Sequence, residues 1–322
     1  MTKKERVQTA LRGETPDYVP AGFSLHFPAD KNAGEAGVQA HLEFFEQTDT
    51  DLVKIMNENL VPAQGAIRTP EDWGCLSSLG KDAPFIQRQL DFTKAILDGY
   101  KGNGYSLGTL HGITASSIHP IEKAYGYDGS RTLLVEHLRE KEGPVLDAMK
   151  RIADCMCRLA WGYKEAGVDG VYYAALGGET RWFTEEEFAR WIAPFDKLIL
   201  SEIRKAGCGV FLHICKDGLQ MERYRSYGDF CDVVNWGVYE APLSLEEGRA
   251  LFPQVAAVMG GLPNRSGVMT AGSREELVRE VRELVGRFGP NRFLLGADCT
   301  LPTEIPYERI RWVVEAAREG AL

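Results

Sequence analysis

The sequence predicts an α/β fold: a single (β/α)8 TIM barrel over residues 1–322, with a helical extension at its N-terminus and an insertion after its second strand. Short apolar, β-rich runs alternate with helix-period segments nearly throughout, which implies a parallel sheet with helical crossovers. Eight such runs can be counted, and a chain of 322 residues is of the size at which eight units close into one barrel. A doubly wound open sheet is the alternative arrangement of the same alternation.

Taken in order, residues 1–16 (MTKKERVQTALRGETP) form an amphipathic helix ahead of the first strand. The expected strands are Val19–Leu25, Asp51–Asn57, Tyr105–Leu110, Asp169–Ala174, Val210–His213, Asp232–Trp236, Val255–Met259 and Arg292–Gly296. The stretch from Leu60 to Gly104 is too long for a simple crossover and reads as an insertion after strand two. Between Gly143 and Glu165, Val145, Met149, Ile152, Met156, Leu159 and Tyr163 recur at three- and four-residue steps, an apolar stripe to lay on a sheet. Thr184, Ser244 and Ser273 each stand three residues before a glutamate, the pattern of a reciprocal cap at a helix start.

Composition narrows the function classes. The net charge of −9 argues against nucleic acid or an anionic membrane as partner. No apolar run approaches the roughly 20 residues of a membrane span. The charged N-terminus lacks the apolar core of a secretory signal. Seven cysteines, scattered along the chain, suit reduced thiols and a cytoplasmic location better than a disulfide framework.

In a barrel, functional groups gather at the C-terminal ends of the strands. Glu58 follows strand two, His111 follows strand three, and Gly177, Gly178 and Glu179 follow strand four. His213 and Cys215 close strand five, Asn235 and Trp236 close strand six, and Cys299 follows strand eight. Residues at i and i+2 on a strand share a face, so the imidazole and thiol of FLHIC can meet one metal. With Cys299 they form a His/Cys/Cys set suited to Zn²⁺, leaving a fourth position open, as catalytic zinc sites do. The competing reading makes the two cysteines small buried hydrophobes near an incidental histidine.

Other candidates are weaker. Cys155 and Cys157 fall mid-helix, about 200° apart, and cannot face one metal. Cys75, Cys208 and Cys231 have no partner at ligand spacing. His41 and His137 read as ordinary helical residues, and His26 and His119 as residues at the mouth of a site. Asp298 either caps a turn or orients a ligand. The GGLPNRSG segment with Arg265 is a weak phosphate-loop match, and no Walker or dinucleotide motif is present.

The chain resembles the uroporphyrinogen decarboxylase superfamily over nearly its whole length. KKERVQTALRGETPDYVP, DLVKIMNENL, YSLGTLHG, AGVDGVYY and LLGADCTLP…PYERIRWVVEAARE match in order. Within that superfamily, the H-x-C plus distant Cys pattern is similar to zinc-dependent methylcobamide methyltransferases, which pass a methyl group from a corrinoid protein to a thiol such as coenzyme M. His213, Cys215 and Cys299 fall where that branch carries its zinc ligands. The decarboxylase itself fits poorly, because its arginine-bearing opening segment is replaced here by PAGFSLHFP. Glu58 lies where the decarboxylase has its catalytic aspartate.

The resemblance implies an enzyme that moves a methyl group between a methylcobamide (cobalamin-type cofactor) on a partner corrinoid protein and a zinc-activated thiol or other small acceptor or donor. Glu58 and His111 are the expected catalytic residues, and Asn235 and Trp236 the expected cofactor-facing ones. The reverse direction, demethylation of a small methyl donor, uses the same parts. Two alternatives remain: a metal-free decarboxylase or lyase with Glu58 as acid/base, and a barrel that only binds a corrinoid or tetrapyrrole.

Overall fold

The computed structural model describes residues 1–320. Seven parallel strands form one curled sheet in chain order: β1 (Leu52–Ile55), β2 (Tyr105–His111), β3 (Gly170–Ala175), β4 (Gly209–Ile214), β5 (Val233–Trp236), β6 (Ala257–Leu262) and β7 (Phe293–Ala297). Each consecutive pair is parallel, with His213 opposite Ala174 on one side and Asn235 on the other. Nearly every strand residue is buried, as expected when helices cover one face and the sheet curls around the other.

The first expected strand, Val19–Leu25, is not a continuous strand. Ala21 and Leu25 make isolated parallel bridges to Leu295 and Leu301. On the β7 side, Leu295 donates to the Pro20 carbonyl at 2.9 Å and Gly22 donates to Leu295 at 3.0 Å. On the β1 side, the Ala21 carbonyl accepts from both Asp51 and Leu52, while the Ala21 N–H goes to the Asp51 carboxylate at 3.0 Å. That capture, and the missing N–H of Pro20, remove donors a regular ladder would use. Gly22 is required by close approach, since a Cβ there would fall 2.6 Å from Leu52.

Two apolar layers result. Leu52, Leu107, Tyr172, Phe211, Val233, Ala257, Met259 and Leu294 pack inside the curl, joined by Val7 and Ala10 of the helix Lys3–Leu11. That helix meets the N-terminal end of β2, where Lys4 donates to Asn103. The outer layer packs helices on the sheet. The expected stripe from Val145 to Tyr163 is buried within the helical run Ile113–Ala166, which breaks at Gly126 and Lys141. All three expected reciprocal caps form, at Thr184, Ser244 and Ser273. The segment between β1 and β2 carries a 3-10 turn (Pro70–Cys75) and the helix Pro84–Gly99. No helix among the described residues is long and apolar enough to cross a membrane.

Candidate metal centre

The ends of β4 and β7 bring His213, Cys215 and Cys299 together, with their ligand atoms all within 4.8 Å of one another. His213 is the penultimate residue of β4. Cys215 lies just beyond the strand, its N–H donated to Ala175 at 3.0 Å, so the i, i+2 relation survives past the strand end. The next residue, Lys216, has φ of 91°, a strained turn for a side chain with a Cβ. Cys299 follows β7 two residues on. The two sulfurs lie 3.9 Å apart.

His213 is buried and its ring stacks on Tyr172, centroid to centroid 5.4 Å. Its Nδ1 lies 2.6 Å from Asn235 Oδ1. The Asn235 amide is oriented by its other side: Nδ2 donates to the carbonyls of Met259 (3.0 Å) and Ala297 (3.1 Å), which can only accept. Oδ1 therefore faces His213 and Tyr172, whose hydroxyl donates to it at 2.9 Å. Nδ1 of His213 must carry the proton, which leaves Nε2 with its lone pair. That Nε2 is buried and has no hydrogen-bond partner among the described residues.

The donor set fits zinc. Two sulfurs each about 2.3 Å from one tetrahedral zinc stand about 3.8 Å apart, close to the distance found. A buried imidazole nitrogen with a free lone pair beside them supplies the third ligand. The hydrogen bond to Cys299, reinforced by burial, holds the Cys215 thiol well above its ordinary range, while the bond from Cys215 holds Cys299 well below it.

His213, Cys215 and Cys299 form one wall of a cavity of about 260 Å³ at the C-terminal ends of the strands. Glu58, His111, His26, His119 and Thr109 line other parts of it, with Met56, Ala115, Ile118 and Leu176 as apolar surface. Glu58 pairs with His26 at 2.7 Å, and that bond lowers its carboxyl below the usual range. It stands outside the sulfur and imidazole cluster. Burial lowers His111 to about 4 and pushes His119 well below the usual histidine range, so both are neutral at pH 7.

Several expectations change. Trp236 does not line the cavity: it is fully buried, donates to the Leu243 carbonyl, and packs against Gly248 and Phe252. Strand alternation sends Asn235 inward and its neighbour toward the helices. Asn235 itself sits behind His213. Glu179 is buried in an ion pair with Arg131, accepts from the Gly177 N–H, and does not line the cavity. Asp298 accepts from the N–H groups of Val238 and Tyr239, tying down the loop after β5. Arg265 is exposed.

Sequence reasoning missed two residues. Lys54 is buried in β1 and lines the cavity, its Nζ 3.8 Å over the Tyr172 ring. A lone lysine inside the apolar run LVKI was the available signal. His41, read as ordinary, donates from Nδ1 to the Gly37 carbonyl and accepts the Met56 N–H at Nε2, steadying the chain that leads to Glu58.

The uroporphyrinogen decarboxylase (URO-D) family model matches residues 127–320, the part that holds His213, Cys215 and Cys299. No curated protein sequence gives a significant match. Among solved structures, a methyltransferase from Methanosarcina mazei superposes with a TM-score of 0.80 at 16% identity, covering 99% of both chains. A B12-independent methionine synthase from Shewanella sp. W3-18-1, solved with selenomethionine, gives 0.55 at 12% identity, covering 95% of this chain and 94% of its own. The likenesses bear on the fold; the family match covers well over half the chain, which belongs to the uroporphyrinogen decarboxylase family.

Proposed function

We propose that the protein is a zinc-dependent corrinoid methyltransferase, moving a methyl group between a methylcobamide on a partner corrinoid protein and a small thiol. One observation carries the proposal. A buried His213 Nε2, its lone pair exposed by the Asn235 hydrogen bond, faces two cysteine sulfurs at the spacing of zinc ligands. Among the superposed structures, a methyltransferase and a B12-independent methionine synthase support methyl transfer as the class of reaction.

When bound, zinc supplies a positive charge that deprotonates a coordinating thiol, making a nucleophile at neutral pH. The chain's own groups do the rest. His213, Cys215 and Cys299 hold the metal, and Asn235 orients the imidazole. The apolar walls (Met56, Ala115, Ile118, Leu176) exclude water from the sulfur, and Glu58 and His111 bound the space where the methyl group arrives. No D-x-H-x-x-G corrinoid motif occurs in the chain, so the corrinoid is taken to come on a separate protein. The same reading takes Pro20–Leu25 as the eighth strand of a closed barrel, supported by its bonds to both β1 and β7. Free cysteines as ligands suit the reducing cytoplasm.

The test is metal content by elemental analysis on untagged protein, beside Cys215→Ala and Cys299→Ala. About one zinc per chain is expected in the native protein, lost in both variants, with methyl transfer from methylcobalamin to a thiol lost in parallel. Native protein that takes up no zinc under reducing conditions overturns the reading.

A further inference from the structure

We propose that Lys54 is the charge-balancing residue for the substrate sulfur, its buried ammonium standing across the cavity to offset the negative charge a bound thiolate brings. The inference rests on the functional reading above. Zinc held by a neutral histidine and two cysteine thiolates has no net charge. A third thiolate makes the site an anion, in a cavity lined largely by apolar groups, where an uncompensated charge is costly.

Lys54 has the features such a counter-charge needs. It is 8% exposed and lies in β1 among Leu52, Val53 and Ile55, all buried. Its ammonium makes no ion pair among the described residues; its contacts are the Ser24 hydroxyl at 3.3 Å and the face of Tyr172. A hydroxyl and an aromatic face leave a buried cation poorly compensated. Burial draws Lys54 down to about 8, and the charges that pull it back up are, in order, Cys299, Cys215 and Glu58. Lys54, Cys215 and Cys299 line the same cavity, so a thiolate added beside the sulfurs comes under the field of the Lys54 ammonium. His111, neutral through burial, adds no competing positive charge. Lys216, the other lysine of the cavity, also feels the Cys215 and Cys299 sulfurs, but it lies over the Tyr127 ring at 4.7 Å and is only half buried, so solvent already compensates its charge.

The experiment uses zinc-loaded protein, native and as Lys54→Met and Lys54→Arg, with 2-mercaptoethanol and 3-mercaptopropionate as probe thiols. Zinc content is measured first, then thiol affinity by calorimetry at pH 7. Exchanging an uncompensated buried charge for an apolar side chain of similar length should not unfold the protein, so Lys54→Met is expected to melt no lower than native. Its zinc content should be unchanged. Its affinity for both thiols should fall by roughly 10- to 100-fold, the effect of removing one nearby opposite charge, and Lys54→Arg should recover most of it. Native-like affinity of Lys54→Met for 2-mercaptoethanol overturns the inference. So does a loss confined to 3-mercaptopropionate, which would assign Lys54 to a substrate's anionic tail. Native protein that binds zinc but neither thiol overturns both this inference and thiol activation, whereas native protein without zinc removes the metal reading beneath them.

Discussion

Asn235 Oδ1 lies 2.6 Å from His213 Nδ1, and the same amide is bolted from behind to the Met259 and Ala297 carbonyls. Three strands, β5, β6 and β7, thereby determine which nitrogen of a β4 histidine is available. Had the amide faced the other way, its NH2 would have met Nδ1 and left two buried carbonyls without donors, a cost of about 1–3 kcal/mol for each. The tautomer is a product of the sheet's register, in which Asn235 stands directly opposite His213. A hydrogen-bonded partner on the non-ligating nitrogen is what aims a metal-binding histidine.

Replacing Asn235 by leucine should therefore weaken zinc binding by about 10- to 100-fold while the three ligands remain. A competitive chelator titration reads this, with circular dichroism on metal-free protein to confirm folding. Native zinc affinity in that variant would show that His213 needs no orienting partner.

The clustering of His213, Cys215 and Cys299 was legible because its cause is local. H-x-C at a strand end fixes a shared face, and Cys299 announces itself by following another apolar run. The strands were legible for the same reason, as uninterrupted apolar runs between helix caps. Lys54 was not, because its role depends on the sheet curling far enough to bring a β1 side chain over the Tyr172 ring two strands away. The broken ladder of the first strand was not legible, because the event that breaks it, the Asp51 carboxylate taking the Ala21 N–H, is a contact 30 residues distant in sequence. Trp236 was misplaced by one step of strand alternation, which burial alone could decide.

Trp236 should behave as core. Trp236→Ala is expected to cost about 3–5 kcal/mol in chemical denaturation, because it empties the space between β5, Gly248 and Phe252. Zinc content and thiol affinity of the folded fraction should stay near native. Loss of thiol binding without loss of stability would return Trp236 to the site.

Asp196 gives a pH signature. Its buried carboxylate accepts from the Ile113 N–H at 3.0 Å, at the start of the helix after β2, and from the Tyr173 and Tyr227 hydroxyls. Burial raises it from 3.8 to about 6. A raised folded-state value means that the native protein binds this proton more tightly than the unfolded chain. The group therefore favours folding increasingly as pH falls from about 6 toward 3.8, by an amount approaching 3 kcal/mol. Other carboxylates, such as Asp17 and Glu187, are lowered to about 2 by their arginine partners and act in the opposite sense. The difference between native protein and Asp196→Asn isolates the term: on acidification from pH 6 to pH 4, the variant should lose stability more steeply. Parallel stability curves would mean that Asp196 is ionised in both states.

Glu58 separates metal chemistry from acid/base chemistry in the same cavity. It is held by His26 and is kept ionised by that bond, so in the resting protein it can take a proton but has none to give near neutral pH. Standing outside the His213, Cys215 and Cys299 cluster, it is not positioned as a resting ligand. Glu58→Gln should accordingly keep zinc affinity within about threefold of native, less than the 10- to 100-fold that loss of an orienting partner produces. Its expected defect is in turnover with methylcobalamin and thiol, while thiol affinity is retained. A metal-free lyase makes the opposite demand: activity that survives chelation of all zinc and disappears in Glu58→Gln. Measuring chelated native protein beside zinc-loaded Glu58→Gln separates the two chemistries: a lyase keeps its activity through chelation and loses it in Glu58→Gln, whereas methyl transfer disappears with the zinc and is reduced, with thiol affinity kept, in Glu58→Gln.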